Sequence, residues 1–243
     1  MNIDNYLKIA DIKINNKYFK TLVLGIMSGI LLSFAAIGST IAGSFVENYS
    51  ISKFMSALVF PMGLILIILL KTELFTGNSL MIIPLLERKI KIKQLLRNYL
   101  LVYIGNIIGS IIIAFLISRT PLINKIGDNF INIMNNKISF DFITALILGI
   151  LCNFLVCMAV YLATIANTII EKVIVIFIPI FLFIIMSLEH SVANMFYLSI
   201  GYILDSQTSI GTLLLNNLLP VTLGNIVGGM GFGSIIWYLR EQK

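Results

Sequence analysis

His190 is the only histidine in the 243-residue chain. It stands in Glu189-His190-Ser191-Val192-Ala193-Asn194, a polar stretch that interrupts an apolar helix expected from about Val173 and resuming through Met195 to Leu204. A second polar stretch, Glu73-Leu74-Phe75-Thr76-Gly77-Asn78, has the same form of Glu, four residues, Asn. Ionisable groups and irregular backbone are costly at membrane depth and survive only where protein or water satisfies them. Two such breaks facing one another therefore mark a site. Each restarting helix offers unpaired N–H groups and the positive end of its dipole, which suits an anion. An imidazole titrates near neutrality and can share a proton with a weak acid of pKa about 4–7. His190 is the expected proton partner, Thr76 its hydrogen-bonding neighbour, and Glu189 the group that positions the loop.

The elements that must carry these breaks are membrane helices. The chain is 58% hydrophobic and 12% charged with mean hydropathy +1.00, against roughly 45–50% and about 25% in soluble domains. Apolar runs occur at 21–45, 54–70, 99–117, 142–165, 173–187 and 218–239. A span needs on the order of 20 residues, so the second and fifth runs are short, and these two precede the breaks. No alternation typical of a membrane β-barrel occurs, and 1–20 lacks the compact apolar core of a signal peptide. Six crossings with both termini in the cytoplasm put twelve of the seventeen Lys and Arg inside, Lys243 among them. Lys53, Arg119, Lys125 and Lys137 fall outside and Lys71 inside the second span. That asymmetry supports a cell-membrane orientation with cytoplasmic ends. The charge of +6 then reflects topology and anionic lipid at the basic turn 87–93, and no nucleic-acid partner is expected. One domain, 1–243, is expected, with 1–20 a cytoplasmic amphipathic helix serving as anchor or pore lid. The segment 119–140 reads as a long outer connection.

The chain repeats itself. Asn98–Gly109 aligns on Asn217–Gly228 with seven identities in twelve positions, each preceded by a Glu-x4-Asn break and, before that, by Leu-Gly-Ile at 24–26 and 148–150. Three spans per half would invert one half relative to the other, the plan of channels and secondary transporters with broken helices. Gly105, Gly109, Gly224 and Gly228 are expected to let helices approach closely. Cys152 and Cys157 lie about 140° apart on a helix, so neither a disulfide nor a metal pair is expected, and no cofactor is implied. A hydrolase would need a nucleophile beside a base, and Ser191 directly follows His190.

Leu74-Phe75-Thr76-Gly77-Asn78, Tyr103-Ile-Gly-Asn106, Glu189-His190-Ser-Val-Ala-Asn-Met-Phe196 and Pro220–Gly229 resemble, in order, the motifs of the formate/nitrite transporter family. The resemblance implies an all-α, aquaporin-like protomer of six transmembrane helices in two inverted three-helix repeats, with helices 2 and 5 broken. It also implies a homopentamer with one pore per protomer. His190 matches the family's central pore histidine, Thr76 the threonine of the interrupting loop, Asn153 a pore asparagine and Lys137 a lysine that attracts anions from outside. Phe60, Leu64, Leu74, Phe75, Val156 and Phe183 fall where the family has apolar constrictions. The implied cargo is a small monovalent weak-acid anion. Hydrosulfide is the first expectation, and formate and nitrite are further candidates. The alternatives are a formate-selective, proton-coupled transporter and, more remotely, a neutral-solute channel of aquaporin type.

Overall fold

The computed structural model describes residues 3–240; Met1 and Asn2 of the N-terminal segment, and Lys243 among the inside charges, lie outside the described residues. All regular structure among them is helical. The chain runs through α1 (Asp4–Asn15), α2 (Tyr18–Ser44), α3 (Tyr49–Val59) and α4 (Pro61–Leu69), then a first break, a 3₁₀ turn at Gly77–Met81 and the short α5 (Ile82–Leu86). It continues through α6 (Ile92–Ser118), α7 (Ile123–Ile138), α8 (Phe142–Ile165) and α9 (Ile169–Ile185) to the second break. After that come α10 (Ser191–Leu204), the single turn α11 (Ile210–Leu213), a π turn at Leu214–Leu218 and α12 (Leu219–Tyr238). Five helical stretches among the described residues are long and apolar enough to cross a membrane. The protein is a multi-pass membrane protein.

Helices α3 and α4 form one apolar rod, because Phe60 between them keeps helical torsions and Pro61 sits in the first turn, where its missing N–H costs little. Both rods that lead into the breaks stop in the same way. Lys71 and Ser187 take the left-handed conformation, with φ of 55° and 54°, two residues before Glu73 and Glu189. A non-glycine residue with positive φ ends a helix sharply and is tolerated where the surroundings hold it. Lys71, expected inside the second span, is an exposed residue of this turn, since α4 ends at Leu69.

Three other expectations are corrected. The segment 119–140 is no open connection: it carries α7, which buries Ile126, Phe130 and Met134. The i, i+4, i+8 spacing of those residues puts them on one helical face, which its many asparagines disguised in the sequence. The third span begins at Ile92, so the last residues of the basic turn belong to α6. Residues 1–20 are not one helix, because α1 ends at Asn15 and α2 starts at Tyr18. Helix α1 turns Tyr6, Leu7, Ala10 and Ile14 onto the protein, while Phe19 is exposed on α2.

Two helix pairs, α2 with α6 and α8 with α12, share the most extensive packing among the described residues. Glycine makes the approach possible. A Cβ at Gly109 would strike the Ile26 carbonyl, and one at Gly228 the Ile150 carbonyl. Helix backbone cannot yield as a flexible side chain can. Gly231 on α12, by contrast, has open space around it. Gly228→Ala should lower the thermal unfolding midpoint in detergent, at a cost of about 1–3 kcal/mol. Gly231→Ala should leave the midpoint unchanged or raise it, since alanine favours a helix by about 1 kcal/mol over glycine.

Candidate functional site: two broken helices around an apolar cavity

Each break is held by one buried asparagine. In the first, Asn106 of α6 donates from Nδ2 to the carbonyls of Gly25 (2.8 Å) and Glu73 (3.0 Å) and accepts from the Phe75 N–H at 3.0 Å. In the second, Asn225 of α12 donates to the carbonyls of Gly149 (2.8 Å) and Glu189 (3.0 Å) and accepts from the Ser191 N–H at 2.8 Å. The bonds correspond one for one. A helix break in an apolar setting exposes backbone groups that each cost about 1–3 kcal/mol if left unpaired. An amide, with two donor hydrogens and an acceptor oxygen, meets two of them at once and uses its second hydrogen to tie the break to the neighbouring helix, α2 or α8.

The glutamates are gripped equally alike. Glu73 Oε2 accepts from Asn78 at 2.7 Å and from Lys13 at 3.0 Å, and Asn78 also donates to Asn98. Glu189 Oε2 accepts from Asn194 at 2.6 Å and Asn217 at 3.1 Å, while Oε1 accepts from Lys137 at 2.8 Å. Asn194 also donates to Asn217. Both carboxylates are nearly inaccessible and both lysines are mostly covered. A buried charge needs such a partner. Lys13 ends α1 as Lys137 ends α7, so the repeat extends to these two helices. The offsets are 124 residues from Lys13 to Lys137, 116 from Glu73 to Glu189 and 119 from Asn106 to Asn225.

Between the breaks lies a small cavity of about 10 Å³, near the lower limit for one water. Leu32, Phe60, Leu64, Leu74, Val156, Ile180, Phe183 and His190 line it. Three pairs in this lining obey the same offsets: Leu32 with Val156, Leu64 with Ile180, and Leu74 with His190. The histidine thus stands where the first half has a leucine. Phe60 and Phe183 meet edge to face with centroids 5.5 Å apart, and Phe183 stacks on His190 at 5.9 Å.

His190 caps α10, accepting the Ala193 N–H at Nδ1 over 3.1 Å. That bond leaves the ring proton on Nε2, which lies 2.8 Å from Thr76 Oγ1. His190 then donates to Thr76, and the threonine hydroxyl keeps its own hydrogen to offer elsewhere. The structure therefore joins Thr76 and His190 across the two breaks, with Glu189 anchoring the loop beneath the histidine.

Of the remaining candidates, Phe60, Leu64, Leu74, Val156 and Phe183 surround the cavity. Phe75 stands apart, packed edge-on against Tyr99 and Tyr103. Asn153 lies behind Thr76, donating to its carbonyl at 3.1 Å and to Ser79 and the Asn225 carbonyl. It occupies the place of Gly29 in the other half, where bare backbone meets the Asn106 carbonyl. Lys137 is tied to Glu189 and lies over the Tyr197 ring at 5.5 Å. The sequence reading missed Leu32, Ile180 and Lys13. The first two were legible as the repeat partners of Val156 and Leu64, and Lys13 as that of Lys137. Cys152 and Cys157 are free and buried, and no cluster of His, Cys, Asp or Glu suited to a metal ion occurs among the described residues.

A family profile described as formate/nitrite transporter matches residues 2–239. The chain belongs to the formate/nitrite transporter family. The formate channel FocA of Haemophilus influenzae is 33% identical over 90% of this chain and 86% of its own length. A probable formate transporter of Methanothermobacter thermautotrophicus is 32% identical over 96% of this chain and 94% of its own. Among solved structures, a pentameric formate channel with formate bound superposes with a TM-score of 0.81 at 31% identity, covering 91% of this chain and 96% of that one. An FNT family ion channel reaches 0.89 at 25% identity over 99% and 100%. As a member of the formate/nitrite transporter family, the chain is a membrane channel and not an enzyme.

Asn225→Ala would leave the Glu189 carbonyl and the Ser191 N–H of the second break unpaired and remove the tie to the Gly149 carbonyl of α8. The loss should exceed about 3 kcal/mol and be seen as reduced yield of folded protein and a lower unfolding midpoint. Tyr103→Phe removes only the half-buried bond to Thr222 and should cost about 1 kcal/mol or less.

Proposed function

We propose that this chain is one protomer of a homopentameric cell-membrane channel for small monovalent weak-acid anions, with both termini cytoplasmic and the halves related as inverted repeats. Formate is the leading cargo, because relatives spanning nearly the whole chain are named formate channels. Hydrosulfide, the first expectation from the sequence, and nitrite remain within the same chemical class. The excess of Lys and Arg on the expected inner segments supports the orientation, and the assembly of the pentameric relative supports the oligomer.

The observation that carries the reading is the Thr76–His190 hydrogen bond set against a cavity otherwise lined by apolar side chains. Moving a bare anion into such surroundings costs up to about 20 kcal/mol before relaxation. Protonating an acid of pKa near 4 at pH 7 costs only about 4 kcal/mol, at about 1.4 kcal/mol per unit. The neutral acid is the cheaper species by a wide margin. The anion approaches Thr76, accepts its hydroxyl hydrogen bond, and crosses the aromatic pair as the acid.

Proton exchange has a geometric condition here. His190 must first gain a proton at Nδ1, which releases the Ala193 N–H, and can then pass its Nε2 proton through Thr76 Oγ1 to the anion. The ring left behind carries its proton on Nδ1 and must return it to Nε2 before the cap re-forms. A histidine locked permanently in the charged form would instead hold the anion in place.

His190→Asn retains a polar side chain that cannot titrate. Formate uptake by proteoliposomes should fall at least about tenfold and lose its dependence on pH, with the oligomer still assembled. A wild-type rate and pH profile would exclude proton exchange at His190. Phe183→Ala opens the aromatic pair and should raise flux while admitting chloride. Unchanged selectivity would show that Phe183 does not set the barrier.

A further inference from the structure

One charge on the α7 side of the channel, Lys53, has no charged counterpart at its repeat position. Lys53 lies on α3, and the series Lys53, Ala57, Phe60, Leu64 follows the i, i+4, i+7, i+11 spacing of a single helical face on the continuous α3–α4 rod. Ala57, Phe60 and Leu64 are all buried, and the last two line the cavity. Lys53 continues that face outward from Phe60 by seven residues, about 10 Å. It is half-buried, whereas Ile51, Phe54 and Met55 beside it are exposed.

Among the described residues Lys53 has no ion-pair or hydrogen-bond partner, yet it lies within electrostatic reach of Lys137 and Glu189. Glu189 is already engaged by Lys137, Asn194 and Asn217. Lys137 is neutralised and Lys53 is not. The repeat offset of 116 takes Lys53 to Ile169, an exposed apolar residue at the start of α9. The repeat position on the α1 side therefore carries no charge.

We propose that Lys53 recruits the permeating anion at the α7-side mouth, and at that mouth alone. The inference rests on the anion-channel reading above. A partly covered ammonium is screened less by salt than an exposed one, and unlike Lys137 its field is not cancelled by an adjacent carboxylate. A lysine also suits this task because its strongly hydrated point charge attracts an anion without the bidentate grip of arginine. The charge raises the local anion concentration ahead of the aromatic pair and takes no part in proton exchange.

The test uses full-length protein in vesicles sorted by orientation, with formate as the probe and uptake measured from each side at several ionic strengths. Lys53→Gln should raise the half-saturating formate concentration about threefold or more from the α7 side, flatten its salt dependence and leave the maximal rate near wild type. Uptake from the α1 side should be unchanged. Lys53→Arg should restore both properties, and Lys53→Met, which keeps the aliphatic stem, serves as a second uncharged variant. Wild-type half-saturation and salt dependence in both uncharged variants would overturn the proposal while leaving the channel reading intact. So would an equal change from both sides, or an Arg variant that behaves like Gln. A wild-type protein that carries no formate, hydrosulfide or nitrite would overturn the channel reading, and this inference with it.

Discussion

The structure depends on how two interrupted helices satisfy their backbone in an apolar medium. Water is scarce at that depth, so every N–H and C=O released by a break needs a partner within the protein. Asn106 and Asn225 supply three bonds each, and they do so from α6 and α12, the helices packed most extensively against α2 and α8. The glycines that permit this packing are part of the same solution. Without close approach, neither amide could span from its own helix to Gly25 or Gly149 and on to the break.

Once the breaks are held alike, functional character comes from the places where the halves differ. Leu74 and His190 are equivalent by position, but only one can bear a proton. Thr76 faces the histidine, while its equivalent is Val192. The scaffold is duplicated and the chemistry is not. On the proposed reading, a polar pair against a hydrophobic cavity lets a weak acid be recognised as an anion and released as a neutral molecule. An entirely apolar passage would turn the anion away, and one lined with charge would retain it.

The carboxylates serve this arrangement from behind. Glu73 and Glu189 do not line the cavity; each gathers a lysine and at least one asparagine around the foot of a broken helix. Through Lys13 the short helix α1 is fastened to the first break, and through Lys137 helix α7 is fastened to the second. Both terminal lysines also lie at helix C-termini, where positive charge is favoured by the dipole. These helices are thereby joined to the site's surroundings, with Arg97 adding a bond to the Ile14 carbonyl at the end of α1.

Much of this was written in the sequence by itself. Composition determined the membrane class, and span length singled out the two broken helices. The recurrence of Glu-x4-Asn and Gly-Asn-Ile determined that the two halves share one design, since hydropathy and motif spacing survive without knowledge of contacts. Tertiary structure decided what each repeated residue touches. Lys13 counted in the sequence only as one of many inner positive charges, and its pairing with Glu73 spans 60 residues. Helix α7 hid within an asparagine-rich segment because three buried residues, Ile126, Phe130 and Met134, suffice to seat it on the protein. The position of the proton on His190 was likewise beyond sequence, since it follows from a backbone N–H meeting Nδ1 and a hydroxyl from the other half meeting Nε2. Periodicity and composition are properties of neighbours along the chain, whereas hydrogen-bond partners and cavity walls are set by residues that only folding brings within a few ångströms.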